Sequence, residues 1–146
     1  MTTCHDLKIA DKLIKAVLDS FVPQHATASI PVYISGENGS VPHQDQSALS
    51  DLGLNTNDLM GKTDLVLKVN DPKEPWLYFV SCEHSCGHID TKRKQELDKI
   101  ASSTMLKCAY LSVFASMESY SKVCDSIAWS TDVWIADQPT KLISFD

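Results

Sequence analysis

Two short apolar runs joined by a proline-containing turn constrain the fold of this chain more than any other feature. Residues 65–69 read LVLKV and residues 76–80 read WLYFV, with NDPKEP between them. Runs of this length that are rich in β-branched and aromatic residues are typical of strands, and a turn between two of them indicates a β-hairpin. The chain therefore predicts a sheet that contains this hairpin.

Polar residues flank one end of the predicted hairpin. Asp64 comes directly before the first run, and a polar segment, residues 81–88, comes directly after the second. These two points meet at one edge of an antiparallel pair. Carboxylates, carbonyls and water are the ligands that Mg²⁺ accepts, and a bound ion there would suit phosphoryl transfer. Glu37, in a predicted turn, is either a further metal ligand or an ordinary solvent-facing acid.

The rest of the sequence alternates between helical and strand-like patterns. Apolar spacing in residues 7–21 predicts an amphipathic helix that Pro23 stops, and residues 40–48 are predicted to be loop. Further strands are predicted at residues 30–35, 108–115, 131–136 and 142–145, and further helices at residues 47–54, 91–100 and 118–129. Helix-linked strands around a hairpin predict an α/β fold, a mixed sheet with helices on its faces, in one domain spanning residues 1–146.

Charge and cysteine content narrow the function classes. The net charge of −6 argues against a wholly basic nucleic-acid surface but leaves room for one basic face. No apolar run approaches the roughly 20 residues that span a bilayer, and the start lacks the layout of a secretion signal. Five cysteines, an odd number, favour free thiols in a reducing compartment. We therefore expect a cytoplasmic protein with no membrane contact.

The predicted helix at residues 91–100 opens with three consecutive basic residues, Lys92, Arg93 and Lys94. Such a run is compatible with a solvated helix face. It is equally compatible with contact to phosphate groups near the predicted ion. The sequence leaves both interpretations open.

Three segments resemble the catalytic domain of the BsuBI/PstI type II restriction endonucleases, of the PD-(D/E)xK nuclease superfamily. They are residues 14–23, residues 61–67 with Trp76, Leu77, Gly87, Lys92 and Arg93, and residues 127–139, which are close to a family signature. The similarity extends over residues 7–145. It implies a restriction-endonuclease-like fold, Mg²⁺-dependent hydrolysis of phosphodiester bonds in double-stranded DNA, and a homodimer on a palindromic site.

The resemblance also implies site residues, with two important departures. Asp64 matches the family's metal-binding Asp, but Ser81 stands where the family has a Glu, and a hydroxyl is a poor substitute for a carboxylate on Mg²⁺. Glu83 is the candidate replacement, on the same face of the strand but roughly 6.5 Å further along it. The family's lysine is also missing, so Lys92 or Arg93 is the candidate catalytic cation. The predicted catalytic residues are Asp64, Glu83, Lys92 and Arg93, and the predicted metal ligands are Asp64, Glu83 and Glu37.

Two function hypotheses follow from the resemblance. The domain is either an active Mg²⁺-dependent endonuclease or a catalytically degenerate module that binds DNA or a protein partner. Because the family's enzymes carry a further N-terminal domain, we expect an excised domain or a stand-alone descendant.

A zinc site is a third interpretation, since Cys82, His84, Cys86 and His88 alternate along the chain. Four ligands on one extended strand cannot all converge on one ion, which argues against it.

Overall fold

Seven strands form one sheet in the part of the chain that the computed structural model describes, residues 12–34, 43–59, 62–83 and 87–145. The strands are β1 (Ser29–Ile34), β2 (His43–Gln44), β3 (Leu65–Val69), β4 (Trp76–Cys82), β5 (Lys107–Phe114), β6 (Thr131–Ile135) and β7 (Leu142–Phe145). The helices are α1 (Lys12–Ala16), α2 (Val22–His25), α3 (Gln46–Asp51), α4 (Thr56–Leu59), α5 (Thr91–Ala101) and α6 (Met117–Val123).

The sheet has the mixed topology that the sequence predicts. The strand order is β2-β1-β3-β4-β5-β6-β7, with parallel pairing only between β4 and β5 and between β5 and β6 among the described strands. The predicted hairpin is the pair β3–β4, aligned through Leu65 opposite Val80. In the other direction β4 runs parallel to β5, with Ser81 beside Ser112. The hairpin therefore lies at the centre of the sheet.

Helices cover both faces of the sheet, as predicted. Even-numbered positions of β4, such as Tyr78 and Val80, pack into the core that α1 covers, and odd-numbered positions, such as Leu77 and Phe79, pack into a second core. This alternation is the period of a strand. The helices reach the first core through Leu13, Ile14, Val17 and Phe21, and the second through Leu49, Leu59 and Leu97. Ser81, an odd position, accordingly faces α5.

The first helix does not stop at Pro23, so that prediction is wrong. A π turn, Val17–Phe21, follows α1, and the Val22 amide donates to the Val17 carbonyl. Pro23 then occupies the first turn of α2, where a missing amide hydrogen costs nothing, and the helical path continues to His25. The π turn separates two short helices in a segment that apolar spacing alone predicts as one.

Two other predicted boundaries are also corrected. The helix expected at residues 118–129 ends earlier, because α6 is followed by a 3₁₀ turn at Cys124–Ser126 and the Ala128 amide then donates to the Ile89 carbonyl at 3.0 Å. A long-range backbone bond thus overrides local helix propensity. Within the predicted loop at residues 40–48, β2 pairs with β1.

Among the residues that the structure describes, no helix has both the length and the apolar character needed to cross a membrane.

Candidate functional site

Asp64 is held, fully buried, at the open end of the hairpin. Its amide donates to the Val80 carbonyl at 2.8 Å, and its Oδ2 accepts a hydrogen bond from the Cys82 amide at 2.7 Å. The β3–β4 register, extended by one pair, brings Asp64 opposite Ser81. Asp64 is therefore bonded through its amide to residue 80 and through its carboxylate to residue 82, on either side of the position where the resemblance implies a second acid.

Ser81 and Arg93 converge on a single carbonyl beside Asp64. The Ser81 hydroxyl donates to the Lys62 carbonyl at 3.3 Å, and the Arg93 Nη1 donates to the same oxygen at 3.0 Å. Thr63, also buried, donates its hydroxyl to the Val80 carbonyl at 2.8 Å. These bonds join the start of β3, the end of β4 and the first turn of α5 into one polar cluster.

A buried polar row crosses three strands on the α5 face. Asp64, directly before β3, lies beside Ser81 on β4 and Ser112 on β5, and all three are fully buried. The Ser112 hydroxyl accepts a hydrogen bond from the Ile89 amide at 2.9 Å, which ties the segment after β4 onto the sheet. Directly after it, the Asp90 side chain caps α5 by accepting from the Arg93 amide at 2.8 Å. The row therefore fixes where α5 begins.

Three charged side chains form what we term the α5 ion cluster, Lys62, Arg93 and Glu96. Lys62 Nζ donates to Glu96 Oε2, and Glu96 Oε1 lies 3.7 Å from Arg93 Nε. The hydrogen bond from Lys62, supported by the positive charges of Lys62 and Arg93, lowers the pKa of Glu96, although partial desolvation opposes the shift. Glu96 is thus ionised at neutral pH and bridges two cations beside the polar row.

Comparison with known proteins identifies the family. The model of the BsuBI/PstI restriction endonuclease domain matches residues 9–146. The chain belongs to the BsuBI/PstI restriction endonuclease domain family. This restriction endonuclease domain is 27% identical over 135 residues to the type II restriction enzyme BsuBI of Bacillus subtilis, covering 92% of the chain and 42% of that enzyme.

A solved structure supports the fold of this restriction endonuclease domain. The SdaI restriction endonuclease superposes with a TM-score of 0.79 at 24% identity, covering 92% of the chain. The restriction-endonuclease-like α/β fold predicted from the resemblance is confirmed. The chain spans 42% of the length of both proteins, so what the whole enzymes do does not transfer to it directly.

The predicted site residues of this restriction endonuclease domain lie at differing depths. Glu83 follows β4, its amide donates to the Val113 carbonyl at 2.9 Å, and its Oε1 is buried. Arg93 is half-buried and bonded to the hairpin, whereas Lys92 is exposed at the start of α5. Glu37 lies outside the described residues. The hairpin and α5 thus bring Asp64 and Arg93 close to one carbonyl, while Lys92 points to solvent.

The side chains at the hairpin's open end fit a Mg²⁺ site poorly. Of the paired positions 64 and 81, only one carries a carboxylate, and one oxygen of that carboxylate already accepts a backbone amide. Among the residues described, no three His, Cys, Asp or Glu side chains are grouped so as to hold a metal ion. Mg²⁺ favours several oxygen ligands in octahedral geometry, and a hydroxyl in place of a carboxylate also removes a negative charge.

The described part of the alternating Cys/His segment has ordinary structural surroundings. Cys82 is fully buried in the core under α1, and the His88 Nε2 lies 2.7 Å from the Ser126 hydroxyl. His84 and Cys86 lie outside the described residues. Cys82 therefore packs in the core, and His88 joins the segment after β4 to the turn after α6.

Sequence reasoning missed four residues of this site. Lys62 and Glu96 contact Arg93, whereas Thr63 and Ser112 bond to the Val80 carbonyl and the Ile89 amide. Ser112 is a polar interruption in the apolar strand β5, which is a usable signal. Glu96 is three residues after Arg93 on α5, a spacing at which side chains meet. The contact between Lys62 and Glu96 joins residues far apart in sequence and carries no local signal.

Proposed function

We propose that this domain binds double-stranded DNA through the restriction-endonuclease scaffold and has lost hydrolysis of the phosphodiester bond. The observation that carries the proposal is Ser81 opposite Asp64, where a metal-binding hairpin would need a second acid. The surrounding scaffold is retained, including the buried Asp64, the polar row and the Arg93 contact to the hairpin. The proposed loss therefore concerns ligands for Mg²⁺ and leaves the shape of the site intact.

Basic side chains on α5 and the hairpin supply the expected DNA-facing charge. Lys62 and Lys99 line one groove beside α5, and Lys92 is exposed at the start of α5, although the whole chain has a net charge of −6. Contacts from such side chains to phosphates give affinity that falls with added salt. We expect weak binding with little sequence preference, since phosphate contacts carry no direct sequence information.

Cytoplasmic location and a homodimer remain predictions. Size-exclusion chromatography with light scattering tests the homodimer.

A second candidate function is a Mg²⁺-dependent endonuclease that uses Asp64 and Glu83. It is favoured by the position of Glu83 directly after β4, with a buried carboxylate oxygen, and by the nearby guanidinium of Arg93. In that case Mg²⁺ would polarise the phosphate and activate water. Asp64 and Glu83 would hold the ion, and Arg93 would sit near the developing negative charge.

Nicking of supercoiled plasmid separates the two functions. We expect no nicking by the wild-type domain in Mg²⁺ or Mn²⁺, while a labelled duplex is bound at low salt in fluorescence anisotropy. Ser81→Glu restores the second carboxylate, so Mg²⁺ should raise the melting temperature of this variant. Ser81→Gln, of equal size without the charge, is the matched control and should show no such increase.

Two results would overturn the proposal. Metal-dependent nicking by the wild type that Asp64→Asn abolishes would establish the endonuclease. Failure to bind any duplex at low salt, with a normal circular dichroism spectrum, would remove DNA as the ligand. A protein partner would then be the remaining candidate for a degenerate module.

A further inference from the structure

Two members of the α5 ion cluster, Lys62 and Glu96, line a groove between α4 and α5. The groove has a volume of about 440 Å³, and Lys62, Lys99 and Glu96 are among its lining residues. Lys62 and Glu96 retain 38% and 32% of their side-chain exposure, so the groove is open to solvent at the cluster. A ligand can therefore reach both side chains without any movement of the sheet.

The charges in the cluster are arranged around one anion. The two oxygens of Glu96 face different cations, Oε2 the ammonium of Lys62 and Oε1 the Arg93 Nε at 3.7 Å. Arg93 Nε is buried, and no described residue accepts a hydrogen bond from it. A phosphate group presents several oxygens to lysine and arginine in the same way, with stronger hydrogen bonds to the guanidinium.

We propose that Lys62 and Arg93 form a binding site for a DNA phosphate, and that the Glu96 carboxylate fills this site in the free domain. Glu96 is thus a built-in competitor of DNA. The inference rests on the proposed DNA binding and adds to it a particular phosphate site and the residue that weakens it.

The geometry gives reasons why Glu96 yields to a phosphate. Glu96 keeps 32% of its side-chain exposure, and an ion pair that stays in contact with water contributes little to stability. Arg93 is oriented independently of Glu96, because its Nη1 is bonded to the Lys62 carbonyl at 3.0 Å. When Glu96 swings toward solvent, Arg93 keeps its position and Nε gains an acceptor on the phosphate.

Duplex binding as a function of salt tests this inference with Glu96→Gln. The amide keeps the shape of the side chain and removes the charge that holds it on the two cations. We expect the Kd for a fluorescein-labelled duplex to fall by about 3–10-fold at each salt concentration, because the phosphate no longer has to displace a carboxylate, while the slope of log K against log salt stays near that of the wild type. Glu118→Gln is the matched control, since it also removes one charge from an exposed pair, with Lys122, on α6.

The two variants have the same net charge, so an effect of net charge alone changes both equally. The proposal is overturned when Glu96→Gln and Glu118→Gln show the same Kd. Should no variant bind duplex at all, the proposed function fails, and titration with inorganic pyrophosphate by ¹⁵N NMR still tests the site. Larger amide shifts at residues 62 and 93 in Glu96→Gln than in wild type would support it, and equal or absent shifts would refute it.

Discussion

The polar groups at the two ends of the β3–β4 hairpin differ in burial and in hydrogen bonding. At the open end, Asp64 and Ser81 are fully buried, and their polar atoms are bonded to backbone groups. At the turn end, residues 70–75, the polar groups face water. There Asp71 accepts a hydrogen bond from the Lys73 amide at 2.8 Å on the exposed surface, and Lys107 and Glu74 form an exposed pair at 3.5 Å.

The cavities beside the two ends differ in the polarity of the residues that line them. A hollow of about 460 Å³ at the turn end is lined largely by apolar atoms, including those of Trp76 and Ala109. The groove at the open end is bordered by the α5 ion cluster instead. Burying a polar group is costly unless it is bonded, and proteins accept that cost mainly where function requires it. We therefore expect the functional residues at the open end.

The strongest test of this contrast replaces one aspartate at each end. Asp64 and Asp71 both accept a backbone amide, at 2.7 and 2.8 Å, but only Asp64 is buried. Asp64→Ala removes the acceptor of the buried Cys82 amide, so we expect this substitution to lower the free energy of unfolding by about 1–3 kcal/mol. Asp71→Ala exposes its amide to water and should cost less than about 0.5 kcal/mol. Urea denaturation measures both.

Asp64→Asn is the control for this comparison. The amide oxygen can still accept from the Cys82 amide, so this variant should be more stable than Asp64→Ala. Equal losses for the Ala variants at the two ends would show that burial does not distinguish them, and the contrast would fail.

A second, smaller effect is expected from pH at the turn end. Burial, helped by the negative charge of Asp98, raises the pKa of Cys108 from 9.0 to about 11. The unfolded chain therefore loses this proton first, and stability falls as pH rises from about 9 toward 11. The pKa values of Tyr78 and Tyr110 are also raised, chiefly by burial, which acts in the same direction at higher pH.

Alkylation by iodoacetamide, followed by mass spectrometry, measures the Cys108 thiolate directly. In the folded domain its rate should keep rising well above pH 9.0, whereas in urea it should level off near that value. Cys108→Ala should lessen the loss of stability across this range. A folded-state rate that levels off near pH 9.0 would show that the thiol is not shielded.

Elements with a strong local pattern were predictable from the sequence. The apolar run at residues 65–69 coincides with β3, and the predicted helix at residues 91–100 differs from α5 by one residue. The meeting of Asp64 with position 81 was predictable as well, because a hairpin aligns neighbouring strands by its own geometry. Short-range periodicity and turn chemistry were enough for these features.

Features that depend on long-range pairing were not predictable in the same way. Ser112 joins the polar row only because β5 pairs in parallel with β4 at Ser81, a register that no local pattern encodes. The Lys62 and Glu96 contact needs both the hairpin and the placement of α5. The π turn before Pro23 was not predictable for a different reason, because apolar spacing does not distinguish a π turn from an α-helix.

The smallest expected effect concerns the ion pairs at the two ends. Glu74→Gln breaks the ion pair with Lys107. The side chains of Lys107 and Glu74 are 80% and 56% exposed, so we expect the free energy of unfolding to change by no more than about 0.5 kcal/mol. We expect no change in duplex binding. Glu96→Gln should likewise leave the urea midpoint nearly unchanged, while duplex binding tightens.

This pair of variants separates a ligand site from a structural one. If Glu96→Gln lowers the urea midpoint clearly more than Glu74→Gln, the α5 ion cluster holds α5 on the hairpin, and Glu96 is a structural residue. If the midpoints agree and only the open-end variant changes the Kd, the ends differ in what they bind. The contrast between the ends would then extend from the buried carboxylate to the charges around it.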